Sequence, residues 1–325
     1  AGNVLTNGNY PLSGSSERYF QAYQVAQYAL QIQADAVAHG STGAGNDQVR
    51  FDTVLSVLAP RLDIIAPVRD EQLTREEEIN YLKEKGVDLN WADHKYSLNE
   101  GLWGTSIGGD ETLTSHRAIP DSAVFADQQK TPRKLTLTFK RGECVGINQS
   151  TFNQPVEAIE ALNEIGKAYD IGMDYHTGDT VIGEKGRIAF QAPAAKMIIQ
   201  SHHLLEKHTL TRHQLQWKSM IAGWYGNMLH EGLFMEPVMR DTERFLDSTQ
   251  QHVTGEVFLE IGPKDFRLLG IQSPYDLMQS SSNQYGEKYS GWNARDVKGF
   301  IKIYSNALKN YYTLHSEETK DEYSK

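Results

Sequence analysis

Apolar positions over residues 1–90 recur in two alternating rhythms. Ala36, Val37 and Ala38 close a short run of small apolar residues, and Leu62-Asp-Ile-Ile-Ala66 forms a second, so each predicts a short strand. Between them Phe51, Val54, Leu55 and Leu58 fall at i, i+3, i+4 and i+7, the stripe of an amphipathic helix that Pro60 ends. Upstream, Phe20, Tyr23 and Leu30 lie near helical spacing, with Ser15 or Ser16 as the cap. Thr74-Arg-Glu-Glu77 has the capping-box pattern and opens a helix that stops at Gly86. Strand, helix, strand, helix in this order predicts parallel α/β structure.

The texture changes near residue 90. Residues 88–134 hold few periodic segments and several polar turns. Leu135, Leu137 and Phe139 then alternate with polar residues, and Arg141-Gly-Glu turns the chain into Cys144-Val-Gly-Ile147, a hairpin signal. Pro155 opens a helix with Val156, Ile159 and Leu162 on one face. Thr180 to Phe190 reads as a strand broken by Gly183 and Gly186. Pro193 to His208 and Thr211 to about Thr249 read as helical, and Val257–Ile261 with Phe266–Ile271 as an antiparallel pair. This half is α+β. The tail from Lys309 to Lys325 is polar and aromatic, the composition of an arm that docks on another subunit or of a frayed end.

Chemistry concentrates between the first strand and the helix after it. Gly40, Gly43 and Gly45 permit a tight turn and close approach of the backbone to a ligand. Asn46 and Asp47 stand where the helix would be capped, and a helix N-terminus suits an anionic ligand. Arg50 lies three residues beyond Asp47 and four beyond Asn46, so amide, carboxylate and guanidinium share one mouth. Such a site offers receptors for carboxylates and one for an amine.

Composition narrows the partners. The 325 residues are 39% hydrophobic and 23% charged, ordinary for a globular chain, and suggest two domains. A net charge of −10 argues against a general nucleic-acid binder. No apolar run reaches the length of a membrane span. One cysteine, Cys144, excludes an intrachain disulfide and fits a reducing, cytoplasmic setting; its place in an alternating strand predicts a buried, inert thiol.

The string His39-Gly-Ser-Thr-Gly-Ala-Gly-Asn-Asp-Gln-Val-Arg-Phe51 resembles the signature of argininosuccinate synthases. Further matches are Tyr10-Pro-Leu-Ser-Gly-Ser15 with Arg18, Leu58-Ala-Pro60, Ile65-Ala-Pro-Val-Arg69, Tyr96-Ser-Leu-Asn-Glu100, Leu102-Trp-Gly-Thr-Ser106, Val253-Thr-Gly255, Ser273-Pro-Tyr-Asp-Leu277 and Asp296-Val-Lys-Gly-Phe300. The resemblance runs from residue 1 to about residue 310. It implies an N-type ATP pyrophosphatase that joins citrulline to aspartate through a citrullyl-adenylate, with ATP as substrate and Mg²⁺ bound with the nucleotide. The implied fold is a partial doubly wound nucleotide-binding domain, adenine nucleotide alpha hydrolase-like, over 1–90. An α+β synthetase domain over 91–310 and an assembly arm over 311–325 follow, in a cytoplasmic homotetramer. Position by position, Tyr10, Ser15, Asn46, Arg50, Ser97 and Ser106 match citrulline ligands. Thr42, Asn46 and Asp47 match aspartate ligands, and His39, Gly40 and Gly43 border ATP. No residue is singled out as an acid or base.

Three departures qualify the resemblance. The family's Ser-Gly-Gly-x-Asp-Ser phosphate loop has no counterpart here, so the expectation is an N-terminally truncated chain, inactive alone. A glutamate used for citrulline aligns with Gly178 and a tyrosine with Phe190, with Asp179 a candidate substitute; the segment His176-Thr-Gly-Asp-Thr-Val-Ile-Gly-Glu-Lys-Gly-Arg187 has the look of a divergent subgroup. A lysine common in the glycine turn is Ala44. The competing readings are an amino-acid-binding or assembly protein without ligase activity, and a related ATP pyrophosphatase with another ureido or amide substrate. His202, His203, His208 and His213 crowd one helical region, but no pair has the spacing of a zinc helix, so no metal site is expected.

Overall fold

The computed structural model describes residues 1–12, 14–87, 96–120, 131–280 and 291–315. The chain falls into two compact units, Ala1–Tyr275 and Asp276–Lys325.

The first unit opens with helix α1, Ser15–Gln31. Strand β1, Ala36–Ala38, then leads into helix α2, Asn46–Leu58, and strand β2, Asp63–Ile65. β1 and β2 pair in parallel, Val37 opposite Ile64, as the alternation of elements predicts. A core of Ala26, Ala29, Val37, Leu55 and Ala59 joins α1 and α2 to this pair. The face of α1 differs from the expected one. Phe20, Tyr23 and Leu30 are exposed, and the buried side is Tyr19, Ala22, Ala26 and Ala29. Small side chains let the two helices approach closely, and spacing counted on large residues alone misses such a face. The short helix α3, Pro67–Asp70, follows, then α4, Arg75–Glu84, with the Thr74–Glu77 capping box in place. The expected domain boundary near residue 90 lies outside the described residues.

The rest of this unit holds two antiparallel sheets and the helices between their strands. Strands β3, Ser97–Gly101, and β4, Gly104–Gly108, form a hairpin in a stretch that reads as turns by sequence. Strands β5, Arg133–Lys140, and β6, Glu143–Ile147, form the expected hairpin, extended by β7, Ser150–Thr151. Helix α5, Pro155–Ala168, buries Ala158, Leu162, Asn163 and Gly166; Val156 is exposed, not on the buried face. Residues 180–190 are not one broken strand. β8, Met173–Asp179, turns back into β9, Lys185–Gln191, with Gly183 in the turn at φ +89°. Helix α6 spans Pro193–Thr209. The long helical stretch after it breaks at Glu231–Glu236 into α7, Arg212–His230, and α8, Pro237–Thr249. Strands β10, Gly255–Gly262, and β11, Asp265–Gln272, pair antiparallel as expected.

One sheet runs β11-β10-β5-β6-β7 and the other β3-β4-β9-β8. Alternation puts Leu135, Leu137 and Phe139 of β5 on the same side as Val257, Leu259 and Ile261 of β10. All six are buried against α5 and α6, and with Leu162, Met197 and Leu205 they form the largest core. Fully burying a side chain of this kind contributes about 1.5–3 kcal/mol.

The second unit carries α9, Leu277–Ser280, α10, Ala294–Tyr304, and α11, Asn306–Leu314. Neither α10 nor α11 has a buried residue. The last ten residues of the tail, 316–325, lie outside the described residues. Among the described residues no helix is long and apolar enough to cross a membrane.

Candidate active site

The glycine turn leaves β1 and delivers the chain to α2, whose N-cap is Gly45. Asn46 and Asp47 are therefore the first helical residues, not caps, and no side chain caps the helix. The N–H groups of the first turn are left without intrahelical partners and are the natural receptors for an anion. His39 is fixed behind the turn. Its ring Nε2 lies 2.8 Å from Asp52 Oδ1, while Arg69 donates to Asp52 Oδ2 at 2.5 Å. The carbonyl of Gly43 accepts from the Gln48 amide.

A cavity of about 480 Å³ opens in front of this turn. Among its walls are Tyr10, Ser15, Gly40, Thr42, Asn46, Asp47, Arg50, Ser97 and Ser106. The structure thus brings together every residue that the resemblance assigns to citrulline or aspartate. Of the three assigned to ATP, Gly40 lines the cavity, whereas His39 and Gly43 lie outside its lining. Of the motif Tyr10-Pro-Leu-Ser-Gly-Ser15, Ser13 is outside the described residues.

Charges in the cavity are arranged in pairs. Asp47 accepts from Arg18 Nε at 3.0 Å through Oδ2 and from Arg50 Nη1 at 2.9 Å through Oδ1. Arg18 also donates to Asn99 Oδ1 at 2.9 Å, which ties α1 to β3. Arg50 is buried, and desolvation lowers its pKa while Asp47 opposes that shift. Its Nε donates to the carbonyl of His230 at 2.9 Å. Asn46 Oδ1 accepts from the Val181 N–H at 2.8 Å, which connects α2 to the β8–β9 turn.

The opposite wall is aromatic. Tyr10 is buried; its ring stacks on His176 at 4.7 Å and meets Phe190 edge-on at 5.1 Å. His176 is 8% exposed, and burial lowers its pKa, so it is neutral near pH 7. Its Nδ1 has no hydrogen-bond partner among the described residues. A Cβ on Gly178 would stand 2.7 Å from His176 Nε2, so the missing side chain at 178 is what makes room for the imidazole. Asp179 lines the cavity, with Oδ1 2.6 Å from Lys185 Nζ. Arg187 is held by the carbonyls of Glu111, Thr114 and Arg117 at 2.7–3.2 Å and lies 4.3 Å over the Tyr175 ring.

His176 and His230 line the cavity and carry no periodic or motif signal in the sequence. The one available clue to His176 is its position in the divergent segment. The conspicuous histidines serve elsewhere. His202 is buried between Asn3 Oδ1 at 2.6 Å and Gln250 Oε1 at 2.7 Å. The nearby Glu206 accepts from Asn3, Gln250 and Lys218 at 2.7–2.9 Å. Cys144 is buried, with its thiol pushed up to about 11 by desolvation.

Chemically, the cavity offers an anion-binding helix end, a carboxylate set between two guanidiniums, and hydroxyls of Ser15, Ser97, Ser106 and Thr42. That set suits two zwitterionic amino acids beside a phosphate ester. Comparison with known proteins agrees. Residues 1–88 match the family model described as the arginosuccinate synthase N-terminal HUP domain, and residues 96–311 that of the C-terminal domain. The chain is 37% identical to the argininosuccinate synthase of Methanocaldococcus jannaschii over 93% of its own length and 76% of the relative's. It is 36% identical to that of Sulfurisphaera tokodaii, over 93% and 77%. To that of Dictyoglomus thermophilum it is 36% identical, over 95% and 78%. Two matched domains, together spanning nearly the whole chain, and a cavity that gathers the matched site residues place this chain in the argininosuccinate synthase family.

Proposed function

We propose that the protein is an AMP-forming ligase that joins citrulline to aspartate in arginine biosynthesis. The observation that carries the reading is the single cavity lined by Tyr10, Ser15, Thr42, Asn46, Asp47, Arg50, Ser97 and Ser106, in a chain of this family. The ureido oxygen of citrulline attacks the α-phosphorus of ATP, and pyrophosphate leaves. The α-amino group of aspartate then attacks the ureido carbon, loses a proton and displaces AMP, giving argininosuccinate.

The residues contribute mainly by placement, which supplies much of the barrier reduction when two substrates and a nucleotide must meet. Ser97 and Ser106 bind the amino-acid end of citrulline. Asn46 and Arg50 face its ureido end. Asp47 receives the ammonium of aspartate, and Thr42 with the N–H groups of the α2 first turn receives its carboxylates. Gly40 lets the nucleotide approach the backbone. Mg²⁺ is assigned, on the family resemblance, as the ion carried on the ATP phosphates.

Residues 1–90 are assigned as the remainder of the nucleotide-binding domain, which also supplies the aspartate ligands and four of the six citrulline ligands, 91–310 as the synthetase domain with Ser97 and Ser106, and 311–325 as the assembly arm. A homotetramer is proposed on the support of the exposed apolar side chains of α10 and α11, Ile303 and Leu314 among them. The cytoplasm is the proposed compartment, supported by a single, buried cysteine. The test is pyrophosphate release from ATP by the complete gene product that carries this chain. Release that requires both citrulline and aspartate is expected; none above background with both present would refute the reading.

A further inference from the structure

The ring of His230 stands between two residues of the site. Its Nδ1 is 3.3 Å from Arg50 Nη2, and its Nε2 is 3.4 Å from Asn46 Nδ2. A guanidinium has only donors, so the nitrogen facing it must present a lone pair. A neutral imidazole with a bare Nδ1 carries its hydrogen on Nε2. The amide of Asn46 is also fixed, because its Oδ1 accepts from the Val181 N–H at 2.8 Å. The NH₂ group of Asn46 therefore faces an N–H of the ring. Donor meets donor, no hydrogen bond forms between them, and the Asn46 hydrogens remain for another acceptor.

We propose that His230 is a positioning residue. Its bare Nδ1 holds the second arm of Arg50, and its Nε2–H keeps the Asn46 amide nitrogen uncommitted, so that Asn46 donates to an oxygen of citrulline. The proposal rests on the ligase reading above. Three further observations support the arrangement. The backbone carbonyl of the same histidine accepts Arg50 Nε at 2.9 Å, so both ends of the residue grip one guanidinium. Gly232, two residues on, has φ +83°, and a Cβ there would come within 3.2 Å of Arg50 Cα; the glycine lets the end of α7 press against Arg50. Burial, the Arg50 charge and the neighbouring His176 push the His230 pKa down to about 4, so the neutral ring is the form present near pH 7. Protonation would place an N–H against the Arg50 N–H and break the grip.

Two substitutions and one spectrum test this. His230→Leu keeps the bulk and removes both nitrogens. His230→Asn returns a carbonyl oxygen near the place of Nδ1. With the complete gene product, the leucine variant should raise the citrulline KM about tenfold while the ATP KM stays within about twofold, and the asparagine variant should recover most of the loss. An unchanged citrulline KM in the leucine variant overturns the proposal, as does equal impairment of both variants, the mark of a merely structural role. Imidazole ¹⁵N shifts, assigned by the loss of one ring in His230→Asn, should show the Nε2–H tautomer; an Nδ1–H tautomer also overturns it. A wild-type protein that releases no pyrophosphate would sink the ligase reading instead, and the tautomer still decides the geometry of the ring on its own.

Discussion

Asp47 and Arg50 face one another across one turn of α2, with Arg50 Nη1 donating to Asp47 Oδ1 at 2.9 Å. The pair is lopsided. The Arg50 side chain is 5% exposed and that of Asp47 is 41% exposed, so the carboxylate is the partner that substrate can reach. Asp47 offsets a buried guanidinium, and in the proposed reading it also presents an oxygen to the ammonium of aspartate.

Asp47→Asn separates the two. The amide fills the same space but leaves Arg50 and Arg18 without the facing charge. The expected loss of stability is about 1–3 kcal/mol, at the low end for an ion pair because one partner is partly solvated. The expected fall in kcat/KM for aspartate is about a hundredfold, since an ammonium loses its counter-charge. Thermal melts and steady-state pyrophosphate release measure the two. A loss that appears in citrulline KM and spares aspartate would assign Asp47 to the other substrate.

Gly178→Ala probes the aromatic wall. The added Cβ would stand 2.7 Å from His176 Nε2 and 3.2 Å from Asn7 Nδ2. The imidazole must move, and its stack on Tyr10 goes with it. Stability should change by less than about 1 kcal/mol, because no large apolar group leaves the core. The citrulline KM should rise roughly tenfold. If the KM for citrulline is unchanged, the Tyr10–His176 wall does not touch that substrate.

The half of this site that lies on α2 was legible because a glycine turn followed by a helical stripe is a local pattern. Asn46, Asp47 and Arg50 had to share a mouth once that helix formed. The other half was not legible. Ser97 and Ser106 lie on β3 and β4, whose mixture of serine, asparagine, glutamate, threonine and glycine carries little alternation; their place came from the family resemblance alone. His230 reaches the site from α7, 180 residues away in sequence from Arg50, and nothing in a chain's local pattern encodes such a meeting. The same limit explains α1. Its buried side is built from Ala22, Ala26 and Ala29, chosen by the closeness of α2, while the larger Phe20 and Leu30 were left outside.

The helices of the second unit give a prediction about assembly. Phe300 is 63% exposed, Ile303 77%, Tyr304 75% and Leu314 83%. Apolar side chains gathered on two consecutive helices mark an interaction surface. Ile303→Ser with Leu314→Ser should shift the protein to a smaller species in light scattering after size exclusion, by at least about half in mass if the surface joins two copies. An unchanged mass would assign these side chains to some other contact.

The buried network around Glu206 predicts acid sensitivity with a definite sign. Burial alone would raise the Glu206 pKa, but His203, His202, Lys218 and Gln250 outweigh it and bring the value down to about 2, from 4.5 in an unfolded chain. The unfolded chain therefore takes up a proton on Glu206 below about pH 4.5 while the folded protein refuses it. The unfolded state binds more protons in this window, so stability falls as pH falls through it. The melting temperature should drop by roughly 2–4 °C between about pH 5 and pH 3. Glu206→Gln should remove that decline and lower the melting temperature already at pH 7, because the buried Lys218, 2.9 Å away and 4% exposed, loses its carboxylate. Calorimetry on the two proteins across this range checks each statement. A melting temperature that stays level from about pH 5 to pH 3 would mean that Glu206 takes up its proton in the folded state as readily as in the unfolded one.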